Sequence, residues 1–345
     1  MRVLVTGHDG YLGSAMVPAL RQAGHDVVGL DTLFFAGCTL GPRGIVPDAI
    51  RGDVRDVTAD HLRGFDAVIH LAALSNDPLG NIDAELTYEI NYRSSVRLAV
   101  AARDAGVSRF LFSSSCSVYG AASPDDILDE AASFHPVTAY GISKVQTEEA
   151  LDRLASPSFS PTYLRNATAY GFAPQLRLDL VVNDLVASAC RHGTVLVKSD
   201  GTPWRPLVHV DDIAAAFCAV LAAPRERVHN QAFNVGRDED NYQVSDIARM
   251  VQEAVAGSSV EYAPGGGPDK RCYRVHFGKL ARLPEFQPSW SVARGVSQLR
   301  DAYRAYDLSG AEVDAATYHR LARIRSHLDA GRLDAALRWR EVATS

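Results

Sequence analysis

The chain has 345 residues, 47% of them hydrophobic, and a formal net charge of -6 at pH 7. This length and hydrophobic content are enough for one large or two modest domains with buried cores, which excludes a largely disordered chain. The negative net charge provides no basic surface for nucleic acid or for an anionic membrane, so we expect a small-molecule partner.

The cysteines and the first residues bear on the cellular compartment. Five cysteines are scattered without a CxxC motif or Cys/His ligand spacing, which argues against a disulfide framework and against a zinc site. The chain starts directly with a strand pattern, with no charged leader, and no apolar run reaches the length of a membrane span. We therefore expect a cytoplasmic protein with reduced thiols, no metal site and no membrane partner.

The first thirty residues predict a βαβ unit. The strand "RVLVT" is followed by a glycine turn, a helix at about 11–23 and a second strand that ends at Asp31. Gly7, Gly10 and Gly13 allow a tight turn, close approach of backbone to a diphosphate, and packing of helix on strand. A carboxylate at Asp31 can bind both ribose hydroxyls of NAD and would repel the 2′-phosphate of NADP. The unit therefore predicts an NAD site.

Strand and helix signals continue to alternate along the chain. A third strand ends at "GDVRD", a fourth covers 67–74, and a fifth covers 109–115 after a long helix at 83–105. This alternation predicts a Rossmann-type α/β fold with a doubly wound parallel sheet. Ligands of such sheets bind at the carboxyl ends of the strands, which is where we expect Asp53, Ala72, Ala73, Ser113, Ser114 and Ser115. For the two alanines, close packing is an equally good explanation.

A tyrosine and a lysine share one face of the next predicted helix, which begins at about Thr138. Tyr140 and Lys144 are four residues apart. A lysine beside a tyrosine favours the phenolate, so we expect the pKa of Tyr140 to fall below its reference value of about 10. Ser115 can hydrogen-bond the reacting oxygen. The spacing alone is common on surface helices, but the glycine motif and the serine-rich strand end before it favour a catalytic set.

Together these segments resemble the extended short-chain dehydrogenase/reductase family, in particular its NAD-dependent nucleotide-sugar epimerase/dehydratase branch. The resemblance covers about residues 1–290 and is carried, in this order, by "TGHDGYLG", Asp31, "GDVRD", "HLAAL", "SSSCSVYG" and "YGISK". These motifs are specific for the family and much less specific for the reaction. The resemblance implies NAD as cofactor, a nucleotide-diphosphate sugar as substrate, and a homodimer formed through helices near 83–105 and 138–155.

The resemblance also implies roles for individual residues. Tyr140 would be the acid/base that removes a proton from a sugar hydroxyl while a hydride passes to NAD. Lys144 would hold the nicotinamide ribose and tune Tyr140, Ser115 would assist, and Asn91 would help to position the active-site helix. The other implied cofactor contacts are Tyr11, Leu12, Asp53, Val54, Leu71 and Ser113.

The second half of the chain resembles the substrate-binding part of the family. We expect an NAD-binding domain at 1–165, to which a later segment at about 207–235 returns. A smaller α/β substrate-binding region follows at 166–306, and a C-terminal helical extension at 307–345. The expected substrate contacts are Ser115, Asn166, Thr168, Asn183, Arg205 and Arg271. For the two arginines the alternative is a solvated or core-edge side chain.

Two departures from the family pattern concern the sugar pocket. Arg205 is followed by Pro206 where the family usually has an Arg-Asp pair. Thr168 stands where many relatives have a substrate-binding asparagine, and Asn166 lies two residues earlier, on the same face of a regular strand. The resemblance therefore does not specify the sugar.

Cys116 and Ser117 occupy the positions at which the family's 4,6-dehydratases carry an Asp-Glu pair. A serine is no general base without help, and a thiol with a reference pKa of about 8.5 poorly replaces a carboxylic acid. The sequence therefore favours an epimerase that oxidises C4 and returns the hydride to the other face. Cys116 is a candidate acid/base for epimerisation at C3 or C5, and the alternative is a small residue packed beneath the nicotinamide.

Other functions stay open at this point. On the same substrates the chain could be a 4-ketoreductase, an oxidase or an atypical dehydratase, and from another class it could be an NAD(H)-binding redox sensor. Intact Ser115, Tyr140 and Lys144 count against the sensor, because binding NAD does not require all three. Beyond about residue 309, helical spacing predicts two helices with a break at Gly331, which cap the substrate region or form an interface.

Overall fold

A computed structural model describes residues 1–44, 47–80, 82–120, 123, 126–264, 272–308 and 315–340. The strands are β1 (Arg2–Thr6), β2 (Asp26–Asp31), β3 (Asp48–Arg51), β4 (Ala67–His70), β5 (Arg109–Ser115), β6 (Ile127–Leu128), β7 (Ser160–Asn166), β8 (Thr168–Tyr170), β9 (Thr194–Val197), β10 (Trp204–His209), β11 (Gln231–Val235), β12 (Asn241–Gln243), β13 (Ser259–Tyr262) and β14 (Arg274–Val275). The α-helices are α1 (Tyr11–Gln22), α2 (Ala59–Leu62), α3 (Asp77–Gly80), α4 (Ala84–Thr87), α5 (Ser94–Asp104), α6 (Ala139–Leu154), α7 (Val181–His192), α8 (Val210–Ala222), α9 (Arg225–Val228), α10 (Val244–Ala254), α11 (Val292–Ala305), α12 (Ala315–Tyr318) and α13 (Arg320–Asp329).

Seven parallel strands form the central sheet, in the order β3-β2-β1-β4-β5-β7-β11. Successive residues of β1 send their apolar side chains alternately to two cores, Val3 and Val5 to one and Leu4 to the other. One core contains α1 and α8 and the other contains α5 and α6. Because helices cover both faces, the inner strands are buried over almost their whole length. This arrangement confirms the predicted Rossmann-type fold.

The order in which the chain adds strands to the sheet reverses between β1 and β4, because β2 and β3 follow on one side of β1 and β4 and β5 on the other. The carboxyl ends of β1 and β4 therefore flank a crevice. In doubly wound sheets this switch point is where ligands bind. The strand ends at the crevice include Thr6 of β1 and Ser115 of β5, which pairs with Asn166 of β7. The sheet therefore brings together residues that are far apart in the sequence.

A further core, called the second core below, lies beyond the carboxyl edge of the sheet. It packs α7, α10 and α11 against two small sheets, one formed by β8, β10 and β12 and the other by β9 and β13. From this region the chain returns through α8 to β11, which pairs with β7 at the edge of the central sheet. The central sheet with its helices and the second core thus enclose the crevice from opposite sides.

The structure differs from the sequence prediction at two helices. The helix expected at 83–105 is interrupted by a π-helical turn, Tyr88–Arg93. Helix α13 ends at Asp329, Gly331 follows with φ +65, and residues 332–340, the last that the structure describes, form no second helix. Instead Leu333 and Trp339 form an antiparallel bridge, and the Asp334 carboxylate accepts hydrogen bonds from the backbone of this turn. The predicted helix after Gly331 is therefore wrong, because Asp334 stabilises a turn.

Three further observations concern the described ranges. No helix within them combines the length and the apolar character needed to cross a membrane. No group of three or more His, Cys, Asp or Glu side chains in the same ranges is arranged to hold a metal ion. The five cysteines are free thiols: Cys38, Cys116, Cys190, Cys218 and Cys272.

Candidate active site

A cavity of about 700 Å³ lies at the carboxyl edge of the central sheet. It runs from the ends of β1 and β2, past β4 and β5, to the second core. The predicted cofactor residues that line it are Gly7, Gly10, Tyr11, Leu12, Gly13, Asp31, Asp53, Val54, Leu71, Ala72, Ala73, Ser113, Tyr140 and Lys144. Its volume and its place at the switch point are typical of a site for a small molecule or cofactor.

The glycines of the turn at the cavity lie so close to neighbouring backbone atoms that they leave no room for a side chain. Gly7 has φ +74, and a Cβ atom there would lie 2.8 Å from the backbone nitrogen of Ala72. A Cβ atom on Gly13 would lie 2.4 Å from the carbonyl oxygens of Gly7 and His8. The turn leads into α1, whose N-cap is Gly10, so no side chain caps the first amides. A helix N-terminus of this kind attracts anions, and the turn fits the diphosphate of a dinucleotide.

Asp31 ends β2 at the rim of the cavity. Its carboxylate accepts hydrogen bonds from the backbone nitrogens of Asp9, at 3.0 Å, and Leu33, at 2.8 Å. Burial raises the pKa of this carboxyl group, and the two amides oppose the rise. The amides fix the carboxylate beside the glycine turn, where its oxygens fit the two hydroxyls of a ribose.

Asp53 lies at the same end of the cavity and is bound by two arginines. Arg55 Nη2 lies 2.6 Å from its carboxylate and Arg338 Nη1 lies 3.3 Å away. Burial raises the pKa of Asp53, but the hydrogen bonds and charge of Arg55 outweigh burial and hold the pKa below its usual value. Asp53 is therefore ionised at neutral pH and ties the chain after β3 to the C-terminal residues.

Ser115, Tyr140 and Lys144 converge where β5 meets α6. Thr138 caps α6 by accepting a hydrogen bond from the backbone of Gly141, and this cap places Tyr140 in the first turn. Lys144 Nζ donates to the carbonyl oxygen of Ser113 at 2.7 Å and lies 5.6 Å from the centre of the Tyr140 ring. Ser115 lies beside Tyr140 and favours its phenolate, and its Oγ donates to Ser117 Oγ at 3.1 Å. The three side chains thus lie together at the inner end of the cavity.

The pKa values at this corner differ from the sequence expectation. Burial raises the pKa of Tyr140 to about 12, and the hydrogen bond with Ser115 opposes the rise. Burial lowers the pKa of Lys144 to about 7, although the Glu148 carboxylate acts in the other direction. For Tyr140, loss of water therefore outweighs both the Ser115 hydrogen bond and the Arg177 charge, which lower the pKa. The protein's own residues do not lower the pKa of Tyr140, contrary to our expectation.

Cys116 does not line the cavity. Its side chain is 1% exposed in the core beneath β5, and Sγ donates to the carbonyl oxygen of Arg165 at 3.2 Å. Burial raises the pKa of the thiol far above its ordinary value. A thiol that stays protonated and bonded to a carbonyl cannot exchange protons with a substrate at neutral pH. This placement argues against the acid/base role and supports the packing alternative.

Asn91 and Asn183 are buried away from the cavity. We expected Asn183 to contact the substrate, and we expected Asn91 to belong to the cofactor residues and to help to position the active-site helix. Asn91 lies in the π-helical turn and holds the loop after β4 through the backbone nitrogen and oxygen of Leu74, at 2.8 and 3.1 Å. Asn183 accepts from the backbone of Gly171 at 3.0 Å and donates to the carbonyl of Arg177 at 3.0 Å. Asn91 Nδ2 also donates to Ser143 Oγ of α6 at 3.4 Å, so Asn91 contacts this helix as well as the loop after β4. Both asparagines are therefore positioning residues.

The expected substrate residues Asn166, Thr168 and Arg205 line the part of the cavity next to the second core. Asn166 Nδ2 donates to Ser113 Oγ at 3.0 Å, whereas its Oδ1 is buried without a hydrogen-bond partner among the described residues. Arg205 is buried, and its Nη1 donates to the carbonyl oxygen of the preceding residue at 2.8 Å. Arg271 lies outside the described residues.

Several polar residues that line the cavity do not belong to any of the sequence motifs. Arg177 forms a two-pronged ion pair with Asp179, at 2.9 and 3.1 Å, and its Nη1 donates to Ser75 Oγ at 3.2 Å. The other lining residues that sequence reasoning missed include Asn76, Asp77, Lys198, Ser199, Tyr273, His319 and Arg320. They come from loops and from the C-terminal segment, and no local pattern marks such residues.

The chain is similar to a known family and to known proteins. A model of the NAD dependent epimerase/dehydratase family matches residues 3–236. A UDP-glucose 4-epimerase of Corynebacterium glutamicum is 32% identical over 76% of this chain and 84% of its own length. A UDP-glucose 4-epimerase of Azospirillum brasilense is 31% identical over 78% of this chain and 81% of its own length.

Solved structures resemble this one over nearly its whole described length. MoeE5 in complex with UDP-glucuronic acid and NAD has a TM-score of 0.77 at 26% identity, covering 88% of this chain and 99% of that one. DesIV, a dTDP-glucose 4,6-dehydratase from Streptomyces venezuelae with NAD and TYD bound, has a TM-score of 0.76 at 25% identity, covering 88% and 97%. Because the family model spans most of the chain and the relatives align over most of their own lengths, this chain belongs to the NAD-dependent epimerase/dehydratase family, whose cofactor is NAD.

Proposed function

We propose that this protein is an NAD-dependent epimerase that inverts C4 of a nucleotide-diphosphate sugar. The observation that carries the proposal is the convergence of Ser115, Tyr140 and Lys144 in the same cavity as the glycine turn. A cofactor held at the turn and a sugar held near Asn166 can therefore meet beside Tyr140. The names of the C. glutamicum and A. brasilense relatives make a UDP-hexose the first substrate to test.

The chemistry requires a group that first accepts and later returns a proton. When bound, NAD supplies the hydride acceptor and donor, and the positive charge of its oxidised form favours the Tyr140 phenolate. Tyr140 takes the proton from the C4 hydroxyl as C4 loses its hydride, which leaves a 4-ketone. Ser115 donates a hydrogen bond to the ketone oxygen, and Lys144 stabilises the phenolate. Tyr140 then returns the proton when the hydride has reached the other face, so no net oxidation occurs.

The residues after Ser115 separate epimerisation from dehydration. Dehydration of the sugar needs one group to protonate the leaving hydroxyl and another to remove a carbon-bound proton. The Cys116 thiol is buried in the core with a raised pKa, and Ser117 offers only a hydroxyl group. An epimerase that moves one hydride out and back needs neither group. The placement of Cys116 therefore supports the epimerase.

The far part of the cavity suits the nucleotide end of the substrate. We propose that Arg205 binds the substrate diphosphate, because a guanidinium group can donate to two phosphate oxygens at once. Asn166 would contact the sugar, since its Oδ1 is buried and without a partner among the described residues. Thr168 lies on the same wall of the cavity.

A homodimer through α5 and α6 is part of the proposal. The two helices pack against each other over the same core on one face of the central sheet. Light scattering of the purified chain measures the mass directly. A monomer at micromolar concentration would exclude this assembly.

The proposed reaction is tested with purified protein, NAD and a panel of UDP-, dTDP-, GDP- and CDP-sugars in heavy water. Mass spectrometry and NMR should show an isomer of unchanged mass, with no deuterium on carbon and no net reduced cofactor. Deuterium on carbon would mean epimerisation by deprotonation at C3 or C5, and loss of water would mean dehydration. Loss or gain of two hydrogens would mean an oxidoreductase. Bound NAD without turnover on any sugar would favour the redox sensor.

A further inference from the structure

The C-terminal segment (315–340) lies against the cavity at the end where β2 and β3 finish. We expected this segment to cap the substrate region or to form an interface. It contacts the substrate region, where the backbone nitrogen of Leu178 donates to the carbonyl oxygen of Tyr318 at 2.9 Å, and it also makes polar contacts with the chain after β2 and β3. These contacts are Trp339 Nε1 to Thr32 O (2.6 Å), His327 Nε2 with Phe34 O (2.9 Å), Arg323 Nη2 to Ala36 O (2.7 Å) and Arg338 Nη2 to Asp56 Oδ1 (3.0 Å). The segment therefore forms a wall of the dinucleotide end.

Arg320, the first residue of α13, carries a buried guanidinium group at this wall. Its side chain is 2% exposed and lines the cavity. Nη2 donates to the carbonyl oxygen of Gln175 at 3.2 Å, and the group lies 4.4 Å from the centre of the Phe35 ring. Nη1 is buried without a hydrogen-bond partner, and no carboxylate of the described residues forms an ion pair with Arg320. An unsatisfied donor of a buried cation is unfavourable and calls for an anion.

The charge of Arg320 persists despite burial. Burial and the nearby Arg177 charge lower the pKa of Arg320 to about 10, whereas Cys38, Asp179 and Asp31 act in the other direction. A pKa of about 10 keeps the group protonated at neutral pH. The wall of the cavity therefore holds a full positive charge with one donor available.

Gln175 links Arg320 to the glycine turn. Its carbonyl oxygen accepts from Arg320, its Nε2 donates to Asp9 Oδ1 at 3.1 Å, and its backbone nitrogen donates to Ser14 Oγ at 3.4 Å. Asp9 belongs to the glycine turn and Ser14 to the first turn of α1. Arg320 thus lies near the helix N-terminus whose backbone amides fit a diphosphate.

We propose that Arg320 binds the diphosphate of NAD, and that the C-terminal segment thereby completes the cofactor site. Backbone amides of the glycine turn provide partial charges, and Arg320 adds a full positive charge and a directed N–H donor. The proposal concerns cofactor binding alone and holds whichever sugar reaction the enzyme catalyses. The alternative anion, the diphosphate of the sugar nucleotide, is distinguished by the experiment below.

The experiment is isothermal titration of the cofactor-free chain with NAD and, separately, with adenosine, which has no phosphate. We expect Arg320→Met to weaken NAD binding by about tenfold or more, because a charge-assisted hydrogen bond is lost. Adenosine binding should stay unchanged, and the salt dependence of NAD binding should become shallower. Arg320→Lys should recover part of the affinity. Arg325→Met, an exposed arginine of the same helix, is the matched control and should bind NAD like the wild type.

Two outcomes would overturn the proposal. Equal loss of NAD and adenosine binding would mean that Arg320 only supports the fold of the segment. Unchanged NAD affinity together with weaker UDP binding to the NAD-loaded chain would assign Arg320 to the substrate. Thermal melting of each cofactor-free variant shows whether it is folded. Should Arg320→Met fail to fold, Arg320→Lys decides the question, because it keeps the charge and loses the paired donors.

Discussion

The two ends of the cavity are built in different ways. At the catalytic end, Ser115, Tyr140 and Lys144 come from β5 and α6, and the bond from Lys144 Nζ to the carbonyl of Ser113 spans 31 positions. At the dinucleotide end, residues after β2 and β3 meet the C-terminal segment, and the bond from Arg55 Nη1 to the carbonyl of Ala336 spans 281 positions. The residues of the proposed chemistry thus belong to local motifs, whereas the dinucleotide end depends on contacts between segments that are far apart in the sequence.

This contrast predicts a division among variants. Changes at the catalytic end should lower turnover and leave NAD affinity intact. Changes at the dinucleotide end should lower NAD affinity and leave turnover intact once NAD is saturating. The following predictions test the division, from the largest expected effect to the smallest.

Tyr140→Phe removes the hydroxyl group that we propose exchanges a proton with the substrate. We expect turnover to fall by about a thousandfold or more, because acid/base groups contribute on the order of 10²- to 10⁴-fold. NAD affinity should change by less than about twofold, since the glycine turn and Asp31 are untouched. Steady-state kinetics and NAD titration of the same preparation measure both quantities. Wild-type turnover in this variant would remove Tyr140 from the mechanism.

Lys144 makes the stability of the cofactor-free chain depend on pH. Its pKa is lowered from 10.5 to about 7, chiefly by burial, so between these values the unfolded chain binds more protons than the folded chain. Stability from this group therefore rises with pH across that window. Relative to Lys144→Met, the wild type should gain on the order of 2 kcal/mol in free energy of unfolding between pH 6 and pH 9. Denaturant unfolding of both chains at several pH values measures this difference. The same pH dependence of the free energy of unfolding in both chains would contradict the prediction.

Arg338→Met loosens the dinucleotide end. Arg338 pairs with Asp53 at 3.3 Å and with Asp56 at 3.0 Å, and its removal frees the C-terminal segment from the chain after β3. We expect NAD affinity to fall by about fivefold, the loss of a partly exposed ion-pair cluster. Turnover at saturating NAD should be that of the wild type. Arg340→Met, an exposed arginine two residues later, is the control. A fall in turnover at saturating NAD would contradict the predicted separation of catalysis from NAD binding.

Cys116→Ala should have the smallest effect on catalysis. The thiol is buried and bonded to a backbone carbonyl, so we expect turnover within about twofold of the wild type. Removing the buried sulfur should lower stability by about 1 kcal/mol. Kinetics and thermal melting measure the two effects. A hundredfold loss of turnover in a folded variant would restore Cys116 as an acid/base.

Features that depend on interactions between residues close in the sequence were predicted well, and features that depend on distant segments were not. The glycine turn, the end of β2 at Asp31 and the shared face of Tyr140 and Lys144 depend on backbone sterics and helix period, which act within a few residues. These features appear in the structure as expected. The π-helical turn at Tyr88–Arg93 was not predicted, because its sequence fits a regular helix and its register is set by the loop that Asn91 holds.

The amino-acid sequence by itself determined the Rossmann-type fold, the family and the residues that line the glycine turn, because alternating strands and helices and glycine spacing are local signals. The tertiary structure alone decided that Cys116 is sealed in the core, that Asn183 binds backbone, and that Arg320 reaches the cavity. Burial and hydrogen-bond partners come from segments far along the chain, and no local pattern encodes them. For the same reason the pKa of Tyr140 rises in the folded protein, since loss of water there depends on everything packed around it.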